Sequence, residues 1–328
     1  MNARTVLVLL DTPATELRSP ALEILTLARG LGRVEAVALE APSLETLAQL
    51  GTYGVEHVRQ AELALDDPEQ RHRPPVVAAA LARAVEVAGA DVVLLTSSFV
   101  TKEVAAHLAH ATGAGLVVDA VGVTATDDGH VVGAKTAFAG TWETECEVTT
   151  DVAVLTVRAN AVVPAPAGTT VETQVAGFPV EPDAAATAVR TRSRAVHPTT
   201  GGRPDLAEAA TVVAGGRGTD GDFGPVLDLA DALGAAVGAS RDAVFEGWFD
   251  EFVGQTGVSV APRLYIGAGI SGAPHHRGGM QSSQVVVAVN NDPECPLFEI
   301  SDFAVVGDLA DVLPQAAAAI RAHRQDGA

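Results

Sequence analysis

Several stretches of this chain are apolar without interruption and only as long as a strand: residues 6–10 (VLVLL), 92–95 (VVLL), 212–214 (VVA) and 285–289 (VVVAV). A strand with no polar face has no side to turn to water, so each such run predicts a strand covered on both faces. Helical patterns stand between them. Ser19-Pro20 opens one that carries Leu22, Leu25 and Ala28 on a single side and ends near Gly30 and Gly32. Others cover residues 76–88, stopped at Gly89, and 101–111, stopped at Gly113, with strands expected at 34–39, 91–95 and 115–118. Serine and proline suit a helix entry and glycine a helix exit. Strands alternating with helices mean crossover units and a mostly parallel sheet flanked by helices.

From about Val121 to Val196 the helical periodicity fades. Residues 131–132, 152–157, 171–175 and 190–194 read as strands between turns, a region expected to extend or cap the first sheet. Residues 197–204 (HPTTGGRP) have no apolar period and are dense in breakers, which predicts an interdomain linker. The expected organisation is therefore an α/β protein of two domains, 1–196 and 205–328, and a length of 328 residues is enough for two cores.

The net charge of −20 argues against a nucleic-acid surface and against docking on anionic lipid. Cys146 and Cys295 form no CxxC pair, the nine histidines show no metal-ligand spacing, and no GxSxG elbow is present. The N-terminal apolar run is too short for a signal segment, and no run approaches the roughly 20 apolar residues of a membrane span. A cytoplasmic protein with no bound metal and no membrane insertion is expected.

The candidate chemistry lies in the second half. The strand at 211–214 runs into Gly215-Gly216-Arg217-Gly218, followed by a helix over 225–233. Strand, glycine turn and helix together bring backbone N–H groups up to a phosphate. Gly216, Gly218 and Gly221 satisfy GxGxxG, although glycine abundance makes a chance match credible and no ribose-binding acid ends a second strand. The strand at 264–266 leads into GAGISGAP, where Ser271 and the free amides before Pro274 form either an anion site or an ordinary tight turn. Gln255 and Thr256 stand between glycines in VGQTG, which is either backbone packed on a flat ligand or a solvent loop. Asn290-Asn291-Asp292-Pro293 ends a strand, either as a ligand contact or as a simple turn. Spacing reaches a nucleotide site in the second domain and does not identify the ligand.

Taken in order, GGRG at 215–218, VGASR at 237–241, VGQTG at 253–257, GISGA at 269–273, VNNDP at 289–293 and DFAVVGDL at 302–309 resemble the FAD-binding C-terminal domain of electron transfer flavoprotein alpha subunits. ADVVLL at 90–95 and KTAFAG at 135–140 resemble that family's first domain more loosely, so the likeness spans essentially the whole chain. The resemblance implies a Rossmann-like FAD domain and a heterodimer with a smaller beta subunit, which carries AMP or a second FAD. It also implies flavin dehydrogenases as electron donors and a quinone oxidoreductase or similar acceptor, with no organic substrate turned over by the chain itself.

By motif match, Arg241 is similar to the arginine over the isoalloxazine. A fixed cation about 4 Å from a reduced flavin is worth up to ~4 kcal/mol at an effective dielectric near 20, enough to favour an anionic semiquinone. Thr256 resembles the hydroxyl donor to flavin N5, with Gln255 and Gly257 beside it, and His276 the histidine at the O2 edge. Ser240, Ser271, Gly269 and Gly272 match the phosphate side, and Arg217 the GGRG arginine near the cofactor. Asn290 and Asp308 match the adenosine end. Three residues depart from the family pattern: His275 stands for a common glutamine, placing a ribityl contact in question, while Val258 and Asn291 each stand for a common lysine. A bifurcating, NADH-oxidising assembly and a redox-inactive nucleotide-binding scaffold are the alternatives within this likeness.

Overall fold

The computed structural model describes residues 4–11, 13, 15–138, 140–192 and 202–326. The chain divides into two compact units, one of Met1–Lys135 with Glu143–Ala195, the other of Thr136–Trp142 with Val196–Ala328. Most of the expected linker, residues 197–201, lies outside the described residues.

The first unit runs β1 (Thr5–Leu9), α1 (Ser19–Leu31), β2 (Arg33–Ala38), α2 (Leu44–Thr52), β3 (His57–Leu63), α3 (Pro74–Ala88), β4 (Val92–Thr96) and α4 (Phe99–Thr112). It continues through β5 (Gly115–Ala120), β6 (Gly122–Ala125), β7 (Val131–Ala137), β8 (Trp142–Val148), β9 (Ala153–Val157), β10 (Gln174–Val180) and α5 (Ala184–Ala188). Seven strands form a parallel sheet in the order β10-β3-β2-β1-β4-β9-β5, and β6, β7 and β8 form a second, three-stranded sheet. The all-apolar strands β1 and β4 are buried along their whole length at the centre, as their composition requires. Helix α4 starts on a reciprocal cap between Ser98 and Thr101. Helices α1 and α2 pack on one face, α3 and α4 on the other.

The middle region departs from expectation in detail. Of its strands, β9 inserts between β4 and β5 and is fully buried, so it completes the sheet's interior. The strand expected at 171–175 is displaced to Gln174–Val180, where it pairs with β3 at the edge. Residues 190–192 form no strand, and 193–194 lie outside the described residues. Arginine alternating with threonine and serine offers no apolar face, so burial gives such a segment nothing to hold it in a sheet.

The second unit contains β11 (Thr211–Gly215), α6 (Gly224–Leu233), β12 (Ala236–Ala239), α7 (Arg241–Phe245), β13 (Leu264–Ala268), α8 (Pro274–Met280), β14 (Val285–Asn290), β15 (Phe303–Val306) and α9 (Leu309–Asp326). Its five strands are all parallel, in the order β12-β11-β13-β14-β15. Helices α6 and α9 pack with Val213 and Ile266 on one face, whereas Met280 of α8 packs with Val212 and Tyr265 on the other. The chain thus winds to opposite sides of β11 and β13, which makes their C-terminal ends the switch point, the usual ligand position in open α/β sheets.

Candidate functional site

Two glycine turns leave β11 and β13 at this switch point and lock together. Gly216 N–H donates to the Ala268 carbonyl at 2.9 Å and Gly218 N–H to that of Gly269 at 3.0 Å. A Cβ on Gly218 would stand 2.7 Å from Gly269 Cα, and Gly269 itself has φ +63°. The reading of GGRG as a phosphate cradle needs correction here: the amides of Gly216 and Gly218 already donate within the protein, and their missing side chains admit the neighbouring turn. What the turn presents outward is Arg217, whose Nε lies 3.4 Å from the Asp242 carboxylate.

A cleft of about 500 Å³ opens above these turns, within the range of small-ligand sites. Of the residues singled out by sequence, Arg217, Ser240, Arg241, Thr256, Gly269, Ser271, His275, His276 and Asn290 line it. Gln255, Gly257, Gly272 and Asp308 are not part of its wall. Each of these four has a supporting task. Gln255 Oε1 meets His275 Nδ1 at 3.2 Å. A Cβ on Gly257 would run into the Phe252 carbonyl, and one on Gly272 would stand 2.7 Å from Leu297 N. Asp308 accepts from Ala310 N–H at 2.9 Å at the start of α9.

Ser240 caps α7, accepting from Ala243 N–H at 3.3 Å. The cap sets Arg241 as the first helical residue, with its guanidinium carbon 5.8 Å from the Phe245 ring centre. Arg241 has no ion-pair partner among the described residues, which leaves its charge available to a ligand. Asn290 holds the second glycine turn, donating from Nδ2 to the Ile270 carbonyl at 3.2 Å, and accepts from Asp292 N–H at 3.0 Å. Both the turn and the ligand readings of the NNDP segment therefore remain compatible with its position on the cleft.

His276 is a buried polar group of the wall. It is 6% exposed, and its Nε2 lies 2.7 Å from the hydroxyl of the fully buried Tyr265. Its Nδ1 is buried and closed off from the cleft, and the Val253 backbone is a second hydrogen-bonding neighbour of the ring. Burial pushes the imidazole pKa down to about 4, the backbone of Val253 opposing the shift in part. The ring is therefore neutral at pH 7. Burial also drives the Tyr265 pKa far up, so it remains a phenol.

Sequence reasoning missed Trp248, Phe252, Asp220, Asp242 and Cys295, which also line the cleft. Trp248 packs 3.4 Å from the position a Cβ on Gly221 would take. The pairing of a Gly-rich turn with an aromatic 27 residues later (248 − 221) has no periodic signature. Asp220 has φ +48° and was visible only as an acid next to glycine.

Fold and cleft together define a doubly wound α/β unit with a cleft of ligand size at its switch point. The groups lining it that fit FAD are two arginines, the hydroxyls of Thr256 and Ser271, and the rings of Trp248 and Phe252. Residues 6–183 match the family model of the electron transfer flavoprotein domain, and residues 205–281 that of the electron transfer flavoprotein FAD-binding domain. The chain is 42% identical over 324 residues to the electron transfer flavoprotein subunit alpha of Mycobacterium leprae, covering 97% of this chain and 98% of that one. It is 35% identical over 321 residues to the Bacillus subtilis subunit alpha, covering 95% of each. A probable mitochondrial subunit alpha from Cryptococcus neoformans var. grubii is 52% identical over 122 residues, 36% of this chain and 35% of that one. The chain belongs to the electron transfer flavoprotein alpha subunit family. Among the described residues no helix is long and apolar enough to cross a membrane, and no group of three or more potential ligands could hold a metal ion.

Proposed function

We propose that this chain is the FAD-carrying alpha subunit of a heterodimeric electron transfer flavoprotein. It takes electrons from flavin dehydrogenases and passes them singly to an acceptor such as a quinone oxidoreductase. A beta subunit, holding AMP or a second FAD, is its partner. The observation that carries this reading is the arrangement of candidate groups along the sheet's C-terminal edge. Arg241 follows β12, Arg217 follows β11, Ser271 follows β13, Asn290 ends β14 and Asp308 follows β15. Five parallel strands about 4.8 Å apart spread these groups over roughly 19 Å, which suits an extended dinucleotide.

Bound FAD supplies reversible one- and two-electron acceptance. The chain's own residues hold and tune it. Arg241 sets a positive charge at the ring, lowering the energy of the reduced anion. Thr256 offers its hydroxyl to the ring edge, and His276 a neutral N–H. Gln255 and His275 orient each other beside the ribityl chain, while Ser271 and Arg217 face the phosphates. Asn290 and Asp308 take the adenosine end.

The test is the flavin spectrum of the chain purified with its beta partner. One FAD per alpha chain, lost in large part when the chain is purified alone, is expected. A heterodimer without flavin absorbance, and unable to bind added FAD, overturns the proposal.

A further inference from the structure

The cleft wall is not lined for anions alone. Three carboxylates, Asp220, Asp242 and Asp292, share it with the guanidiniums of Arg217 and Arg241. A ligand carrying a pyrophosphate meets more fixed negative charge there than positive, so the attraction left to it depends on what each arginine is already bound to. Arg241 stands 5.8 Å from the Phe245 ring centre and has no ion-pair partner among the described residues. Arg217 has one: its Nε lies 3.4 Å from Asp242 Oδ2.

Backbone bonds bring these two charges together. The amides of Gly216 and Gly218 are tied to the Ala268 and Gly269 carbonyls, which fixes the turn that carries Arg217. Ser240 N–H donates to the Gly215 carbonyl at 2.8 Å, and the Ser240 side chain caps α7. The first turn of α7, with Asp242 in it, is thereby fastened to the strand end from which the Arg217 turn leaves. Both side chains stay more than half exposed, Arg217 68% and Asp242 52%. An ion pair in that setting is weak, and a phosphate offers the guanidinium a stronger, bidentate partner.

We infer that Asp242 is a positioning residue, an internal counter-ion that competes with a ligand phosphate for Arg217 and so lowers the affinity of the cleft. Under the function proposed above, on which the identity of the ligand rests, that phosphate belongs to FAD. Binding exchanges an Arg217–carboxylate contact for an Arg217–phosphate contact, and the released carboxylate remains on the wall beside a dianion. Removing its charge therefore tightens binding. A purely structural Asp242, an acid supporting the first turn of α7, predicts the opposite sign: its loss loosens the helix that carries Arg241, and binding weakens.

Calorimetric titration of FAD, and separately of ADP, into the flavin-free heterodimer reads that sign. Asp242→Asn should bind both about threefold more tightly at low salt. The gain should vanish at about 1 M salt, where the Debye length is only ~3 Å. Arg217→Met should weaken binding more in the Asp242→Asn background than in the wild type, because an uncompensated cation is then lost. Weaker or unchanged binding in Asp242→Asn overturns the inference, and so does a gain that persists at high salt. In the full chain without flavin, the Arg217 Nε–Hε NMR signal, assigned by difference against Arg217→Met, should shift in Asp242→Asn; an unmoved signal shows that no pair exists and overturns it as well. A heterodimer that binds ADP and not FAD sinks the cofactor reading while ADP still tests the counter-ion; one that binds neither overturns both.

Discussion

At the C-terminal edge of the first unit's sheet, several polar groups pair with one another. The Thr96 hydroxyl donates to the half-buried Asp11 carboxylate, and Ser97 and Lys102 both bind Asp119, Lys102 Nζ at 2.9 Å. The Asp119 backbone N–H donates to Thr156 Oγ1 at 2.9 Å. At the corresponding edge of the second unit, the Arg241 charge has no ion-pair partner among the described residues and lies on the wall of the cleft. Both units are doubly wound parallel sheets with a switch point, so the architecture does not distinguish them. One difference is that the second unit's edge opens a cleft of about 500 Å³ and leaves the Arg241 charge on its wall without an ion-pair partner among the described residues. A fold provides a crevice; a ligand site also needs groups free to meet the ligand.

The largest test of this contrast concerns the glycines. Gly269→Ala puts a Cβ 2.8 Å from Gly218 Cα at a residue with φ +63°. Strain and overpacking together should cost about 2–5 kcal/mol in urea unfolding and abolish flavin retention. Gly89→Ala in the first unit is the control. It ends α3 with φ +58° and nothing within 4 Å, so only the backbone penalty of about 1 kcal/mol is expected. Equal losses at the two sites would mean that turn packing does not set the second site apart.

The next test uses pH. The folded His276 imidazole titrates near 4 against 6.5 for the free side chain. Between those values the unfolded chain binds the proton and the folded chain does not, so its contribution to stability rises with pH from 4 to 6.5 and is level above. The expected span is about 3 kcal/mol, read as the difference between wild-type and His276→Gln unfolding curves at several pH values. Parallel curves would show that the imidazole is not buried neutral.

Arg241→Ala should keep part of the FAD and lower the potential for one-electron reduction by about 60 mV, corresponding to a tenfold loss. An unchanged potential removes the electrostatic role assigned to this residue. The smallest effect is expected at Asp119→Asn. Burial works to raise the Asp119 pKa, but hydrogen bonds from Ser97 and Lys102 outweigh it and hold the carboxyl below the usual range. The pair with Lys102 is partly exposed, so its loss should cost no more than about 1 kcal/mol. Flavin content should not change; a change would mean that the first unit's edge is not self-contained.

Much of this was legible in the residues. Unbroken apolar runs dictate buried parallel strands, since no polar face exists to turn outward, and glycines such as Gly89 mark helix ends because the left-handed conformation there disfavours a Cβ. Six ordered motifs placed the family and most of the cleft wall. Tertiary structure decided the rest. The insertion of β9 between β4 and β5 pairs residues far apart in sequence, and periodicity carries no information about which strand lies beside which. The glycine motif at 215–218 marks a place where backbones approach closely, but only the fold shows that the approaching partner is the Gly269 turn rather than a phosphate. His276 is named by its likeness to the family; its neutrality depends on burial, and its contact with Tyr265, eleven residues earlier, on the fold. Local sequence sets conformation and burial preference through the shape and polarity of each side chain. Which polar groups remain unsatisfied is a property of the packed molecule, because it depends on every neighbour at once.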